Sequence, residues 1–184
     1  MSKHVDQAEI RRVAAMWTEV IRLQVSRLED AVDRFHEAIA DQQLRAAFDQ
    51  AGRPTPWAKE VRKARRSLTE KDVAAVAADQ YFLLLAAAQL TKCVDLLPHD
   101  GLPKLQDARL LTLLRNLAER WEDPHGHSAT ALRELISDIT PGRLQYNKHD
   151  IWVEGMSVVS LLQWAEDVDQ RIRDAVANPS PSSP

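Results

Sequence analysis

The residues best suited to chemistry stand in one run, Leu110–Asp123, which holds Arg115, Asn116, Glu119 and Arg120 among leucines and ends on Trp121-Glu122-Asp123. At 100° per residue on a helix, Leu110, Leu114, Leu117 and Trp121 fall within roughly 60° of arc and form a core stripe. Arg115, Asn116, Glu119 and Arg120 then project from the other side. Two guanidinium groups beside an amide are suited to hold a phosphate and to stabilise charge building on it. The same spacing also describes a solvated face, on which Arg115 and Glu119 form an i,i+4 pair worth about 0.2–0.5 kcal/mol. His125 follows Arg120 by five positions, but Pro124 lies between them and ends the helix, which separates the two side chains. His125-Gly126-His127 offers two imidazoles, too few for a metal site without a partnered cysteine or carboxylate. Cys93 lies mid-helix among apolar residues, where a buried inert thiol is expected. No Gly-rich phosphate loop, Gly-x-Ser-x-Gly or His-Glu-x-x-His occurs.

The run Arg115-Asn116, then Glu119, then Trp121 resembles the signature helix of the HEPN superfamily, the helical domains of prokaryotes and higher eukaryotes linked to nucleotide and RNA chemistry. That signature is an arginine, a polar residue such as asparagine, and a histidine four to six positions after the arginine. Here Arg120 occupies the place of the histidine. The resemblance implies a helical bundle, a homodimer with the motifs at a shared groove, and, in active members, a metal-independent cut of RNA. In that reaction the 2′-hydroxyl attacks the adjacent phosphate while the histidine shuttles protons. An arginine stays protonated at every physiological pH and is no general base, although it still holds a phosphate. The expectation is therefore a non-catalytic dimeric module. It would bind RNA or a nucleotide phosphate through Arg115, Asn116, Glu119 and Arg120, or a protein partner in a defence or toxin–antitoxin setting. The alternatives are a metal-independent endoribonuclease using Arg115 and His125, and an unrelated helical structural protein. No cofactor and no metal are expected.

These residues need a scaffold, and composition says which kind. The chain has 184 residues, 45% of them hydrophobic and 28% charged, which is enough for one domain with a sizeable core. With only 5 Gly and few aromatic or β-branched residues, a sandwich or barrel is disfavoured. A net charge of −3 excludes a chain that is basic throughout. The one basic stretch is 59–71, with Lys59, Arg62, Lys63, Arg65, Arg66 and Lys71. It reads either as a contact for a nucleic-acid backbone or as a solvated face. A single cysteine excludes an intrachain disulfide. The charged start is unlike a secretory signal, and Val73–Leu90 is interrupted by Asp79, Gln80 and Gln89, so a cytoplasmic protein with no membrane span is expected.

The expected fold is an all-α bundle of about five or six helices over residues 1–177, with a disordered tail at 178–184. Ile21, Val25, Leu28, Val32, Phe35 and Ile39 alternate steps of four and three, extended upstream by Trp17, Ala14 and Ile10, and predict one long helix over 6–40. Such a helix spans roughly 50 Å, more than a domain of this size needs. Either part of its seam meets another chain or the helix bends or breaks near Asp41. The expected dimer contact uses the signature helix and part of this first helix. Residues 44–50 read as a short continuation, stopped by Gly52, Pro54 and Pro56. Ser67 and Glu70 fit a capping box for a second helix over 70–97, ended by Pro98. Further helices are expected over 105–122, from an N-cap at Ser128 to 138, and over 157–177 with a stripe running from Val158 to Val176. Arg143–Tyr146 and Asp150–Val153 could pair as a small hairpin.

Overall fold

A computed structural model describes residues 6–51, 69–119, 126–135, 144–147, 150–153 and 155–178, with the side chains of 39–51 and 144–147 outside that description. Among the described residues the fold is all-α with one small sheet. The helices are α1 (Gln7–Ala51), α2 (Glu70–Leu96), α3 (Ala108–Glu119), α4 (His127–Leu135) and α5 (Val158–Ala177). The strands are β1 (Leu144–Asn147), β2 (Asp150–Val153) and β3 (Met156–Ser157). The proposed tail beyond Asn178, the basic residues Lys59–Arg66, Arg120, Trp121 and His125 lie outside the described residues.

Asp6 starts α1. Its carboxylate accepts from Ala8 N at 2.9 Å, supplying a partner for one of the amides that a helix start leaves unbonded. The heptad seam then buries Ile10, Ala14, Ile21, Val25, Leu28 and Val32, while Trp17 and Phe35 pack partly buried against the same core. The seam also buries Thr18, whose hydroxyl lies 3.3 Å from Ala14 O on its own helix and 3.4 Å from Ala165 O on α5. The helix does not break near Asp41 but continues to Ala51, 45 residues and about 68 Å at the usual rise.

α2 lies antiparallel to α1, because Arg11 pairs with Asp100 beyond its C-terminal end while Arg27 pairs with Asp79 near its start. Its cap is Thr69 rather than Ser67. Asp72 N donates to Thr69 Oγ1 at 3.3 Å, and Thr69 N donates to Asp72 Oδ2 at 2.9 Å, so the box is shifted two positions along the chain. Pro98 follows the last turn, and Gly101 adopts φ +61° in the loop beyond, a left-handed conformation that suits glycine. By length and composition α2 is apolar enough to cross a membrane, despite Asp79, Gln80 and Gln89, although 44% of its apolar window is buried inside the bundle.

The hairpin forms with Leu144 opposite Val153 and Asn147 opposite Asp150. A third strand, β3, pairs Val153 with Met156 across a turn in which Gly155 takes φ +82°. β3 leads directly into α5, and Asp150 of β2 joins its cap. Asp150 Oδ1 accepts from Val159 N at 3.1 Å, and its other oxygen accepts from the Ser157 hydroxyl, which in turn accepts from Ser160 N at 3.0 Å. α5 buries Val158, Leu161, Ala165, Val168 and Ile172 against α1 and β2, but its stripe stops short of Val176, which is 62% exposed. Trp164 Nε1 donates to Pro103 O at 2.9 Å, tying α5 to the segment between α2 and α3.

Candidate functional site

α3 is packed between α2 and α4, and this position sets which of its side chains, Ala108 to Glu119, are covered. Leu111, Leu113 and Leu114 are its buried residues, with Leu110 and Leu117 partly buried against the core. The apolar arc is therefore wider than the expected stripe, roughly 160°, because a helix with neighbours on two sides buries both flanks. The remaining arc carries Arg115, Asn116 and Glu119.

These three residues form one cluster. Arg115 Nη2 donates to Asn116 Oδ1 at 2.8 Å. Arg115 Nε lies 3.5 Å from Glu119 Oε1, one helical turn on. The guanidinium is largely covered, with a side-chain exposure of 22% against 39% for Glu119. Nε is inaccessible to solvent, and its approach to Glu119 does not meet hydrogen-bond geometry, so this N–H has no acceptor among the described residues. A buried donor left without an acceptor costs about 1–3 kcal/mol, so an oxygen brought to this position gains more than one meeting a solvated arginine. The Arg–Glu pair exists, and the arginine beside it keeps an unsatisfied donor.

The other candidates give less. His127 begins α4 and is exposed, and Thr130 N bonds to Gly126 O, so the helix starts one residue before Ser128 and that serine is not its cap. Among the described residues no three His, Cys, Asp or Glu side chains come together as metal ligands. Cys93 is buried, and burial pushes its thiol pKa up, which keeps it protonated and unreactive. Of the basic stretch, the described Lys71 is an exposed residue in the first turn of α2.

Two arginine sites elsewhere escape a reading of local patterns. Arg11 Nε and Nη2 donate to the two oxygens of Asp100 at 2.7 and 2.8 Å, and the Asp100 side chain is 6% exposed. The hydrogen bond to Asp100 outweighs desolvation and raises the Arg11 pKa. Arg22 reaches Asp169 on α5 at 3.3 Å and Glu166 at 3.5 Å and also pairs with Glu19, while Arg173 holds Asp169 from the other side. Burial works against the Arg22 charge, but the hydrogen bond to Asp169 and the surrounding carboxylates prevail and raise its pKa. Asp169 is itself buried next to the α5 stripe, which is a local signal. Its partner lies 147 positions away, so the pairing is not.

No protein-family model, curated protein or solved structure matches the chain. The functional reading rests on the residues and their geometry.

Proposed function

We propose that this chain is a non-catalytic helical module that binds the phosphate backbone of RNA through the polar face of α3. The observation that carries the reading is the Arg115 Nε–H, covered and without an acceptor beside Asn116 and Glu119. Turning the Arg115 side chain off Glu119 brings this donor to the surface, where a phosphate oxygen is a strong acceptor and charge-assisted bonds of this kind contribute about 1.5–3 kcal/mol. Glu119 does not block the exchange, because an i,i+4 pair at a half-open site holds its arginine by only a few tenths of a kcal/mol. The resemblance of Arg115, Asn116, Glu119 and Trp121 to a helix associated with RNA chemistry supports the same ligand class. Arg120 adds a second cation to the run but removes the proton shuttle, since a guanidinium does not release its proton near neutrality. The module binds and does not cut.

The test uses a mixed pool of single-stranded RNA with the full chain, in EDTA, beside Arg115→Ala and His125→Ala. Fluorescence anisotropy reports binding and gel analysis reports cleavage. The expected result is intact RNA, with Arg115→Ala weakening affinity about tenfold and lowering the salt-dependence slope by about 0.7 for one lost phosphate contact. Loss equal to that caused by an unrelated surface Arg→Ala overturns the site. Cleavage that disappears in both variants replaces this reading with a metal-independent ribonuclease.

A further inference from the structure

Turning Arg115 toward a phosphate also changes the surroundings of Glu119. Among the described residues Arg115 is the one ion-pair partner of Glu119, at 3.5 Å. Once the guanidinium turns away, the carboxylate keeps its charge beside the incoming anion and loses that partner. Like charges this close repel unless a donor satisfies one of them. The Glu119 side chain is 39% exposed, so its oxygens are open to a donor carried by the RNA. At 100° per residue Glu119 falls between Arg115 and Asn116 around α3, about 40° from the first and roughly 60° from the second, one turn further on. Asn116 Oδ1 accepts from Arg115 Nη2 at 2.8 Å, which leaves the Asn116 amide nitrogen as a donor. This turn of α3 therefore offers a donor beside two carboxylate oxygens, in the order donor, acceptor, acceptor.

Building on the phosphate reading, we infer that Glu119 makes the site select guanine. Its carboxylate takes the N1–H and the N2 amino group of a guanine base while a nearby phosphate of the same strand lies on Arg115. The pairing edges of the four RNA bases decide which one fits. Guanine presents an acceptor followed by two adjacent donors, O6, N1–H and the N2 amino group, which complements the order on this turn. Adenine and cytosine each place a ring-nitrogen acceptor next to their one amino donor, so a carboxylate meets a lone pair beside the N–H it gains. Uracil holds its one N–H between two carbonyl oxygens, and both face the carboxylate. Guanine alone gives each oxygen of Glu119 a donor, in the two-pronged arrangement that carboxylates favour. Its O6 then falls toward the Asn116 amide and the guanidinium, both of which donate. The base edge is free for this contact in a single strand and paired in a duplex. Arg115 holds a phosphate whatever the sequence. Glu119 penalises every strand by repulsion and lifts the penalty for guanine, which is selection against the wrong bases as much as attraction to the right one.

The experiment uses the full chain and single-stranded uridine oligonucleotides of about ten nucleotides, each with one central guanosine, inosine, adenosine, cytidine or uridine, at low and constant salt. One guanine per strand avoids four-stranded assemblies, and fluorescence anisotropy gives the dissociation constants. The native chain should bind the guanosine strand about tenfold more tightly than the adenosine, cytidine and uridine strands. The inosine strand, which lacks the N2 amino group, should fall between, about threefold weaker than guanosine. In Glu119→Gln the preference for guanosine should shrink to about twofold or less, while the all-uridine strand binds more tightly because the repulsion has gone. Arg115→Ala should weaken every strand. Thermal melting of both variants at the native temperature shows that the bundle is intact. Equal binding of all strands by the native chain, with Arg115→Ala still weakening it, overturns the selection of guanine and leaves the phosphate reading in place. So does a guanosine preference that survives Glu119→Gln. Arg115→Ala without effect on any strand overturns the phosphate reading and the guanine contact with it. GMP that competes as strongly as the guanosine strand overturns RNA as the source of the base in favour of a free nucleotide.

Discussion

Arg22 and Arg115 are both part-covered arginines on helices, and each has a glutamate on its own helix within reach, yet their surroundings differ. Arg22 looks across to α5, where Asp169 and Glu166 meet it and Arg173 completes the cluster. Arg115 finds Asn116 and Glu119 on its own turn of helix, and one of its N–H groups finds nothing. The first arrangement spends its hydrogen bonds joining elements far apart in the chain, so it holds the tertiary fold. Among the described residues the second stays on one turn of α3 and ties no two elements together, so its loss removes no tertiary link. Arg11 on Asp100 belongs with Arg22, since it pins the turn after α2 onto the start of α1. The part an arginine plays in this molecule follows from where its acceptors come from more than from how deeply it is covered.

The comparison breaks most visibly at Asp169. Asp169→Ala removes the carboxylate shared by Arg22 and Arg173 and leaves Arg22 partly buried with weaker partners. We expect a loss of about 3 kcal/mol in urea denaturation, within the range for breaking one side of a buried ion pair. A loss below about 1 kcal/mol would show that the α1–α5 cluster is a surface decoration after all. Asp100→Ala comes next, at about 2 kcal/mol, because a two-pronged bond to a charged group is lost but Arg11 can turn toward water. The double change Arg11→Met with Asp100→Asn should recover part of that loss by leaving no orphaned charge, and thermal melts of the pair and the singles measure the coupling.

The same division governs what could be read from the residues alone. The α1 seam is legible because Ile21, Val25, Leu28 and Val32 repeat at helical spacing, and all four are buried. The polar cluster on α3 is legible for the same reason, since Arg115, Asn116 and Glu119 are neighbours on one turn. Periodicity names a face but not how far the neighbour extends, so Val176 continues the α5 stripe in sequence and stands exposed in the fold. It also cannot decide between nearby caps: Ser67 and Thr69 are both acceptable, and Asp72 selects Thr69 by reaching back to its amide. The Arg22–Asp169 pair needs two helices brought together across most of the chain, and the covering of Arg115 Nε depends on how α3 is packed. Neither has a local signature.

The smallest expected effect is the sharpest test of the contrast. Glu119→Gln removes the carboxylate nearest Arg115 while keeping the size of the side chain. If the pair is local and weakly held, stability should change by less than about 0.5 kcal/mol in urea denaturation, a fraction of the Asp169→Ala loss. Affinity for RNA without guanine should rise about two- to fivefold, because an anion competing for the guanidinium and repelling the phosphate has gone. Arg115→Ala combined with Glu119→Gln should abolish that gain, since the benefit passes through the guanidinium. A stability loss of Asp169 size would place the α3 cluster with the arginines that hold the fold. Unchanged affinity in Glu119→Gln, with Arg115→Ala also silent, would remove the phosphate from α3 and leave its polar face as a solvated surface.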